Sequence, residues 1–538
     1  MLGLMQNWPL TVDRIIDHAA KVHGSNVVVS RHVDGAIVRR SYADIRDRSR
    51  RVSSWLLSMG IQPGDRVATL AWNSDRHMES WYGAMGIGAV LHTLNPRLHP
   101  DQIAWIANDA GGRVLFLDTS FIGIIEAIKD KLPYDHYVLF EHGDAMPGNA
   151  SGMLSYEALV AGSDADVAWG GFDENAACGL CYTSGTTGNP KGVLYSHRSN
   201  VLHAMMSLSK DAIGAGSADV VMPIVPMFHA NAWGLAFACP AAGAKMVMPG
   251  AKLDGASVYE LLDSERVTVT AAVPTVWLGL LQHLRTEGLS LPYLSKIING
   301  GAALPEAVLR AFEDDYGVEV LHAWGMTETS PIGTIGFTPA SLANASKEDL
   351  AAHKLKQGIP PFGVEIEVVD DDGAPLPHDG IAAGHLLVRG LAVAASYFGG
   401  QPGDILDENG FFDTGDVATI DSSSTMKITD RAKDVIKSGG EWISSIDLEN
   451  LALLHPAVAN AAAIGVPHPK WDERPVLIIE RRAGEQVDEA AMRSFLDGRI
   501  AKWWMPDAIV FVDSVPLGAT GKINKLLLRD TYREILNE

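Results

Sequence analysis

The chain has 538 residues, 47% of them hydrophobic, which is long enough for more than one domain with large apolar cores. Its formal net charge of −22 at neutral pH argues against binding to nucleic acid or to anionic membrane surfaces. A site for a polyanionic ligand would therefore have to supply positive charge locally.

Cysteine usage and the N-terminal sequence indicate a reducing compartment. Three cysteines, Cys178, Cys181 and Cys239, are too few for a disulfide framework. Cys178 and Cys181 form a C-x-x-C pair, but an odd separation on a strand places them on opposite faces, so we interpret them as packing residues. The N-terminus lacks the features of a signal peptide, and no apolar run approaches the ~20 residues that span a bilayer. We expect a cytoplasmic protein.

Helix and strand signals alternate in the first third of the chain. Residues 41–59 predict a helix with Ser41 and Asp44 as a capping box and Gly60 as its stop. Short apolar runs separated by helix-length segments lie at 66–70, 90–94, 114–117 and 137–140. This alternation is typical of a parallel sheet covered by helices.

A Ser/Thr/Gly-rich segment, YTSGTTGNPKG at 182–192, follows an apolar run at 176–181 that predicts a buried strand. Its glycines allow close backbone approach, so that amides and hydroxyls can hold phosphate oxygens beside a lysine. Asn189 stands where a Walker A loop needs its lysine, which disfavours a kinase or P-loop ATPase. A flexible linker is the alternative, but the strand in front favours a phosphate-binding loop. Its candidate residues are Thr183, Ser184, Gly185, Thr186, Thr187, Gly188 and Lys191.

Two further strand predictions, at 296–299 and 318–321, each run into a candidate site segment. Beyond these, from about 331 to 429, the pattern changes to short β runs broken by Asp-Gly and Gly-Gly turns, such as 365–369 and 385–388. This texture predicts a mostly antiparallel, β-barrel-like subdomain.

The sequence pattern of the last part of the chain predicts a compact α/β unit. A helix is predicted at 488–501, with strands at 459–466, 476–480 and 509–512. We therefore expect an α/β protein with helix-covered, mostly parallel sheets in a large N-terminal domain, 1–430. A small mobile α+β domain, 431–538, would follow across a short hinge.

Five motifs together resemble the family of AMP-forming adenylating enzymes, which contains acyl-CoA synthetases, luciferases and peptide-synthetase adenylation domains. They are the loop at 182–192, WGMTE at 324–328, DTGD at 413–416, DRAKD at 430–434 and TGK at 520–522. The loop is the most specific of them, and the likeness covers essentially the whole chain. The resemblance implies ATP and CoA as co-substrates, Mg²⁺ as cofactor and, as a further expectation, a homodimer.

The resemblance also implies an ATP site. Glu328 would hold Mg²⁺ on the phosphates together with Thr187, since a hard cation that bridges phosphates needs such oxygen ligands. Asp416 would accept both ribose hydroxyls through its two oxygens, and Arg431 would contact ribose or phosphate. The other ATP- or AMP-binding candidates are Gly301, Ala302, Ala303, Trp324 as the ring stacked on adenine, Gly325, Met326 and Thr327 as a phosphate contact.

Lys522 is the expected main residue of adenylation, because a lysine delivered by the small domain can stabilise charge at the α-phosphorus. In the family the small domain then rotates, here with Lys433 at the pivot, and brings a second lysine, Lys437, to the site when CoA attacks. The glycine turn that accompanies Lys437 comprises Ser438, Gly439, Gly440, Glu441 and Trp442.

The segment 226–233 matches the part of the family that lines the acyl pocket and the pantetheine channel, and His229 in it is a further catalytic candidate. It lacks the Asp that pairs with an amino-acid ammonium, so we infer an acid without a charged amine. Trp233 and Trp277 either narrow the pocket towards short or medium acids, including thioethers, or fill the core. The other pocket candidates are Pro274, Gly300 and Pro331.

We therefore expect an AMP-forming acid:CoA ligase that makes an acyl-AMP and then an acyl-CoA thioester. The chain as a whole is most similar to bacterial medium-chain synthetases and methylmercaptopropionate-CoA ligases, which implies an acid such as 3-methylthiopropionate. Three alternatives stay open. They are a medium-chain fatty acid ligase, an enzyme that passes acyl-AMP to a carrier or an oxidation, and a nucleotide-binding regulator without catalysis.

Overall fold

The computed structural model describes residues 1, 3–141, 146–148, 150, 152–183, 189–400, 403–438, 441–518 and 522–536, with only the backbone given for 441 and 442. The helices of this part of the chain are α1 (Asp13–Val22), α2 (Tyr42–Ser58), α3 (Asp75–Gly86), α4 (Pro100–Ala110), α5 (Ile122–Ile128), α6 (Tyr156–Gly162), α7 (His197–Ser207), α8 (Ala230–Trp233), α9 (Leu235–Ala242), α10 (Gly255–Ser264), α11 (Pro274–Glu287), α12 (Glu306–Arg310), α13 (Lys347–Lys354), α14 (Ser445–Leu453), α15 (Glu489–Leu496) and α16 (Lys525–Tyr532).

The strands form four sheets. In chain order they are β1 (Val27–Arg31), β2 (Ile37–Ser41), β3 (Arg66–Leu70), β4 (Val90–Thr93), β5 (Val114–Asp118), β6 (His136–Phe140), β7 (Leu154–Ser155), β8 (Ala177–Tyr182), β9 (Gly192–Ser196), β10 (Val220–Pro223), β11 (Lys245–Met248), β12 (Val269–Ala272), β13 (Lys296–Asn299), β14 (Glu319–Gly325), β15 (Ile332–Ile335), β16 (Val364–Val369), β17 (Gly384–Gly390), β18 (Phe412–Ile420), β19 (Met426–Arg431), β20 (Ile436–Ser438), β21 (Glu441–Ile443), β22 (Val458–His468), β23 (Asp472–Arg481) and β24 (Ala508–Val512).

Two large, mostly parallel sheets make up the first part of the fold. One has the order β15-β14-β13-β12-β10-β11-β1-β2 and the other β7-β6-β5-β3-β4-β8-β9. Both are parallel inside and end in antiparallel edges, at β1–β2, β14–β15 and β8–β9. The apolar runs predicted from sequence are these parallel strands, buried because helices cover both faces. The predicted fold class and the capping box that begins α2 at Ser41 are confirmed.

The antiparallel part begins later than the sequence predicts. Residues 332–335 form β15, which extends the first large sheet, and α13 follows. The antiparallel sheet proper has the order β16-β17-β18-β19 and runs from Val364 to Arg431. The first strand of the predicted subdomain thus pairs with β14 of the first large sheet, a partner that the sequence pattern does not show.

The last part of the chain, 432–538, is called the tail below. Its described strands form a five-stranded sheet with the order β21-β20-β23-β22, and β24 pairs with β23. Its predicted strands are confirmed, but the predicted helix at 488–501 ends early, as α15. Asp497 is extended and Gly498 has a φ of 75°, which stops the helix. The tail also contacts the last strand before it: the Ser444 hydroxyl donates to the Thr429 carbonyl, and the Ser445 amide donates to Asp430.

Two expectations about the cysteines and membrane spans can be compared with the structure. Cys178 and Cys181 are buried and free, and they belong to different apolar clusters, as opposite faces of β8 require. Their packing role is confirmed. Within the described residues no helix is long and apolar enough to cross a membrane.

We predict that two glycines with similar φ differ sharply in their tolerance of a side chain. Gly358, with φ +94°, joins β15 to β19, and a Cβ there would lie 2.1 Å from the Ile335 carbonyl carbon. Gly373, with φ +81°, has open space around that position. Gly373→Ala should cost about 1 kcal/mol from backbone strain alone, and Gly358→Ala several times more. Equal shifts of the two thermal denaturation midpoints would contradict this prediction.

Candidate active site

The candidate site lies where neighbouring parallel strands end. The chain leaves β10, β12, β13 and β14 at their carboxyl ends, and the segments that follow carry most of the predicted site residues. In open α/β sheets, ligands bind in the crevice outside the carboxyl ends of the strands. The sheet topology therefore places these segments together although they are far apart in sequence.

The predicted phosphate loop connects β8 to β9 and is closed at its base by backbone pairing. The Thr183 amide donates to the Lys191 carbonyl at 2.9 Å, and the Lys191 amide donates to the Thr183 hydroxyl at 3.2 Å. The Lys191 ammonium lies 4.9 Å from the centre of the Tyr397 ring. Ser184, Gly185, Thr186, Thr187 and Gly188 lie outside the described residues.

Glu328 is buried beside this loop and is held on two sides. The Tyr397 hydroxyl donates to its carboxylate at 2.7 Å, and the Ala394 amide donates to its backbone carbonyl at 2.8 Å. The preceding carbonyl, of Thr327, accepts from the Tyr195 hydroxyl at 2.8 Å. Burial and the Glu328 charge raise the pKa of Tyr397, so this phenol stays a donor. Sequence reasoning missed Tyr397, because no motif spacing links it to Glu328.

A second buried carboxylate, Asp416, joins three segments. It accepts from the Trp324 indole N–H at 2.8 Å and pairs with the Arg431 guanidinium at 2.7 Å. Burial raises its pKa, whereas Arg431 and the Trp324 hydrogen bond oppose that change. The Trp324 ring packs against Gly333, where a Cβ would lie 2.2 Å from it. The adenine-stacking role of Trp324 stays a prediction.

The cavity beside these carboxylates encloses about 560 Å³, including its open mouth. Lys522 lines it together with Gly301, and a Cβ on Gly301 would lie 3.9 Å from the Lys522 Cε, so the two residues are neighbours. His229 and Trp233 contribute further walls. The apolar part of the wall is formed by Ile224, Val225, Pro226, Phe228, Leu253, Ala272, Val273 and Val276.

Two basic groups in the cavity are shifted towards their neutral forms. Burial lowers the pKa of His229 to about 4, and Lys522 and Arg97 add repulsion. Burial, followed by repulsion from Arg431, lowers the pKa of Lys522 to about 8, while Asp416 partly opposes the change. His229 is therefore neutral at physiological pH, whereas most Lys522 side chains still carry charge.

Asn73 is a site residue that sequence reasoning missed. Its side chain is buried and donates to the carbonyls of Pro223 and Val225 at 2.8 and 2.9 Å. It also accepts from the Met227 amide at 2.7 Å. Three bonds from one amide fix the segment that forms the cavity wall. The contacts span about 150 residues of sequence, so no local pattern could have shown them.

The wall continues into a single left-handed turn, α8. Ala230, Asn231, Ala232 and Trp233 all have positive φ, between 43° and 58°, and Gly234 follows at 77°. Each non-glycine residue in this conformation costs roughly 1–2 kcal/mol. Trp233 reaches the cavity from this turn and covers Gly300, where a Cβ would lie 2.8 Å from the indole. Strain of this kind tends to persist at functional sites.

Four pocket candidates do not line the cavity: Gly300, which the Trp233 ring covers, Trp277, Pro274 and Pro331. Trp277 is fully buried against Phe312 in a separate apolar core, which favours the core-filling alternative for this residue. The helix explains why: Val276 faces the cavity, and the next residue along α11 points about 100° away. Pro274 is buried at the start of α11. The Pro331 carbonyl oxygen lies 1.8 Å from the position that a Cβ on Gly325 would occupy.

The structure places the other nucleotide candidates around the same strand ends. The Asn299 side chain donates to the Ala302 carbonyl at 3.2 Å, and Ala303 is partly exposed. The Met326 amide donates to the Thr329 hydroxyl at 3.0 Å.

Lys437 and Ser438, the CoA-side candidates whose side chains are described, do not line the cavity that Lys522 lines. The Lys437 side chain is exposed on β20, and its amide donates to Glu473 at 3.0 Å. The Ser438 hydroxyl accepts from Arg474 at 3.0 Å, and Lys433 is exposed. Gly439 and Gly440 lie outside the described residues, and of Glu441 and Trp442 only the backbone, in β21, is given. The Lys437 turn and the Lys522 cavity are thus not joined in this arrangement.

The cavity that Lys522 and Arg97 line lies at the carboxyl ends of parallel strands, which is where open α/β sheets bind their ligands. The comparison with known families agrees: the AMP-binding enzyme model matches residues 16–398, and the AMP-binding enzyme C-terminal domain matches 447–522. The chain belongs to the AMP-binding enzyme family.

Individual relatives match the full length of the chain. It is 50% identical to a 3-methylmercaptopropionyl-CoA ligase of Ruegeria lacuscaerulensis, with 100% of both chains covered. It is 45% identical to a medium-chain-fatty-acid–CoA ligase of Ectopseudomonas oleovorans, covering 100% of this chain and 98% of that one. The structure of the anthranilate CoA ligase AuaEII with anthranoyl-AMP has the same fold, with a TM-score of 0.88 at 24% identity over 99% of this chain and 100% of that chain.

We predict that Lys522 loses its proton near pH 8 in the free protein, where its pKa lies because of burial and neighbouring cations. Competitive acetylation, which needs the neutral amine, should label Lys522 increasingly as the pH rises through about 8. Mass spectrometry of the labelled peptide measures this. Arg431→Gln removes a repelling charge and should move the labelling to higher pH. A midpoint near 10.5, the ordinary value, would contradict the prediction.

Proposed function

We propose that this chain is an ATP-dependent acid:CoA ligase. The carboxylate of the acid attacks the α-phosphorus of ATP, which forms acyl-AMP and releases pyrophosphate; the thiol of CoA then attacks the acyl carbon, forms the thioester and releases AMP. The observation that supports this most is the position of Lys522, whose partly charged amine stands in the cavity beside Gly301 and the Asp416–Arg431 pair. Full-length relatives with CoA ligase names add support.

In the first step the residues of this chain position charge. Lys522 would stabilise the negative charge that builds on the α-phosphate in the transition state. Asp416, whose two oxygens now bind Trp324 and Arg431, would accept the ribose hydroxyls. The closed base of the loop at Thr183 and Lys191 would set the position of the phosphates.

Mg²⁺ is part of this proposal. The described residues contain no group of three or more His, Cys, Asp or Glu side chains placed to hold a metal ion. A single buried carboxylate, Glu328, fits an ion that takes its other ligands from phosphates and water. Thr187 would be its neighbour, and the ion would neutralise phosphate charge.

We propose that the chain has two domains, 1–430 and 431–538, and that the second rotates about Lys433 before the second step. The exposed position of Lys437 supports this, because it must move to reach the cavity that Lys522 now occupies. Rotation would break the bonds from Ser444 and Ser445 to β19. Two settings let pyrophosphate leave and the thiol enter while water stays excluded from the acyl-AMP.

The acid is proposed from the wall of the cavity. Apolar side chains and the Trp233 indole offer a narrow surface for a short or medium chain, and a thioether packs well on an aromatic ring. We propose 3-methylthiopropionate, with medium-chain fatty acids as the alternative, since relatives at 50% and 45% identity carry these two names. Family likeness alone extends the proposal to a cytoplasmic homodimer, which fractionation and light scattering would test.

We predict that pyrophosphate and AMP release will require CoA and will peak on 3-methylthiopropionate in a panel that also runs from acetate to decanoate. A coupled assay with ATP and Mg²⁺, with and without CoA, measures this. Highest turnover with hexanoate or octanoate would identify the chain as a medium-chain fatty acid ligase. Turnover that yields no thioester would favour another acyl acceptor, and ATP binding without any turnover would favour a regulator.

We predict that two lysine variants separate the half-reactions. Lys522→Ala should slow acyl-AMP formation by ~10²–10³, because it removes the charge beside the reacting phosphate, but should spare thioester formation from supplied acyl-AMP. Lys437→Ala is the matched variant and should show the reverse pattern. Pyrophosphate release and thioester formation from synthetic acyl-AMP are the two measurements. If Lys522→Ala impairs both steps equally, the two-setting proposal is wrong.

A further inference from the structure

The left-handed turn that carries Trp233 is held by a buried polar network on one residue, Asn231. Asn231 is 2% exposed, and its φ is 58°. Asparagine is one of the few residues other than glycine that enters this conformation readily. Because its neighbours in the turn are two alanines and a tryptophan, which do not favour positive φ, the turn needs contacts from outside to persist.

Those contacts come from two other elements. The Asn231 amide donates to Asn200 of α7 at 3.4 Å, and its carbonyl oxygen accepts from the Cys181 thiol of β8 at 3.7 Å. The Asn200 amide in turn donates to Cys178 at 3.1 Å, and Thr93 of β4 contacts Cys181 at 3.2 Å. A buried network whose members are all bonded specifies one arrangement of its parts. The turn is thus tied to the second large sheet.

The other end of the turn has little room to move. A Cβ at Gly234 would lie 2.6 Å from the His203 ring, which itself accepts from the Ile332 amide at 3.2 Å. The Trp233 indole therefore extends from a turn fixed on both sides and lies over Gly300 at the cavity. Because Trp233 lines the cavity, the position of its indole affects how much of that space remains for a ligand.

We propose that Asn231 is a specificity-determining positioning residue: through Asn200 and Cys181 it holds the left-handed turn that keeps the Trp233 indole over Gly300, and so limits the length of the acid accepted. The assignment of an acid to this cavity rests on the function proposed above. The position of the indole does not rest on it.

The test compares Asn231→Gly with the unchanged protein. Glycine keeps the left-handed backbone but removes both side-chain bonds, so the protein should fold while the indole gains freedom. We expect the ratio of kcat/KM for octanoate to that for 3-methylthiopropionate to rise about tenfold, the scale on which one or two methylenes are discriminated. The KM for ATP should stay within about twofold, since the Asn231 amide bonds neither Lys522 nor the Asp416–Arg431 pair.

Asn200→Ala provides a second route, because it removes the acceptor of Asn231 without changing the turn itself. It should move the same ratio in the same direction. In a Trp233→Leu background, Asn231→Gly should leave the ratio unchanged, since a residue that acts through the indole has no effect once the indole is gone. An unchanged ratio in both single variants, or the same change with and without Trp233, would overturn the proposal.

A measurement without turnover separates this inference from the proposed function. In protein labelled with 5-fluorotryptophan, the ¹⁹F resonance of Trp233, identified by its loss in Trp233→Phe, should shift or broaden in Asn231→Gly. A protein that acts on no acid but shows this change would refute the ligase and leave the positioning role intact. Unchanged Trp233 resonance in an active enzyme would refute the positioning role alone.

Discussion

The ion pair between Asp416 and Arg431 is the contact on which the nucleotide side of the site depends. The two residues stand opposite each other in the register of β18 and β19, and the free carboxylate oxygen accepts from Trp324 in β14. Burial favours the neutral form of this carboxyl, and the partly exposed Arg431 guanidinium opposes that effect by stabilising its charge. The pair therefore ties the parallel sheet to the last strand before the tail.

Positive charges are crowded around Lys522, close to the Asp416–Arg431 pair. Lys522 stands near Arg431 and Lys433, and both repel it enough to contribute to its lowered pKa. In a chain with a net charge of −22, such crowding of cations around buried space is not explained by surface composition. It is the arrangement expected where a polyanion supplies the missing negative charge, and a perturbed lysine in a cleft marks a functional site for the same reason.

The sequence predicts what is encoded locally and misses what depends on distant contacts. The strands at 66–70 and 296–299 were predicted with the bounds that the structure shows, because turn-forming glycines, Gly64 before the first and Gly300 after the second, delimit them. Motif spacing also brought Lys522 and Gly301 to one cavity. Motif spacing could not show that Val276, and not Trp277, lines the cavity, because apolar character does not show which side of a buried helix faces a cavity. Tyr397 and Asn73 act through partners 69 and 154 residues away.

This difference between local and distant information divides the site into two halves. The nucleotide half is built from short segments that leave neighbouring strands, so its residues recur in recognisable motifs. The proposed acid half is a wall held by Asn73, which lies in none of the five motifs, and by the network on Asn231, which lies in the segment 226–233. Full-length relatives at 50% and 45% identity carry names with different acids. The chemistry of activation therefore follows from the sequence more directly than the choice of acid, because a small shift of one indole changes the space available to the acid without touching the groups that handle ATP.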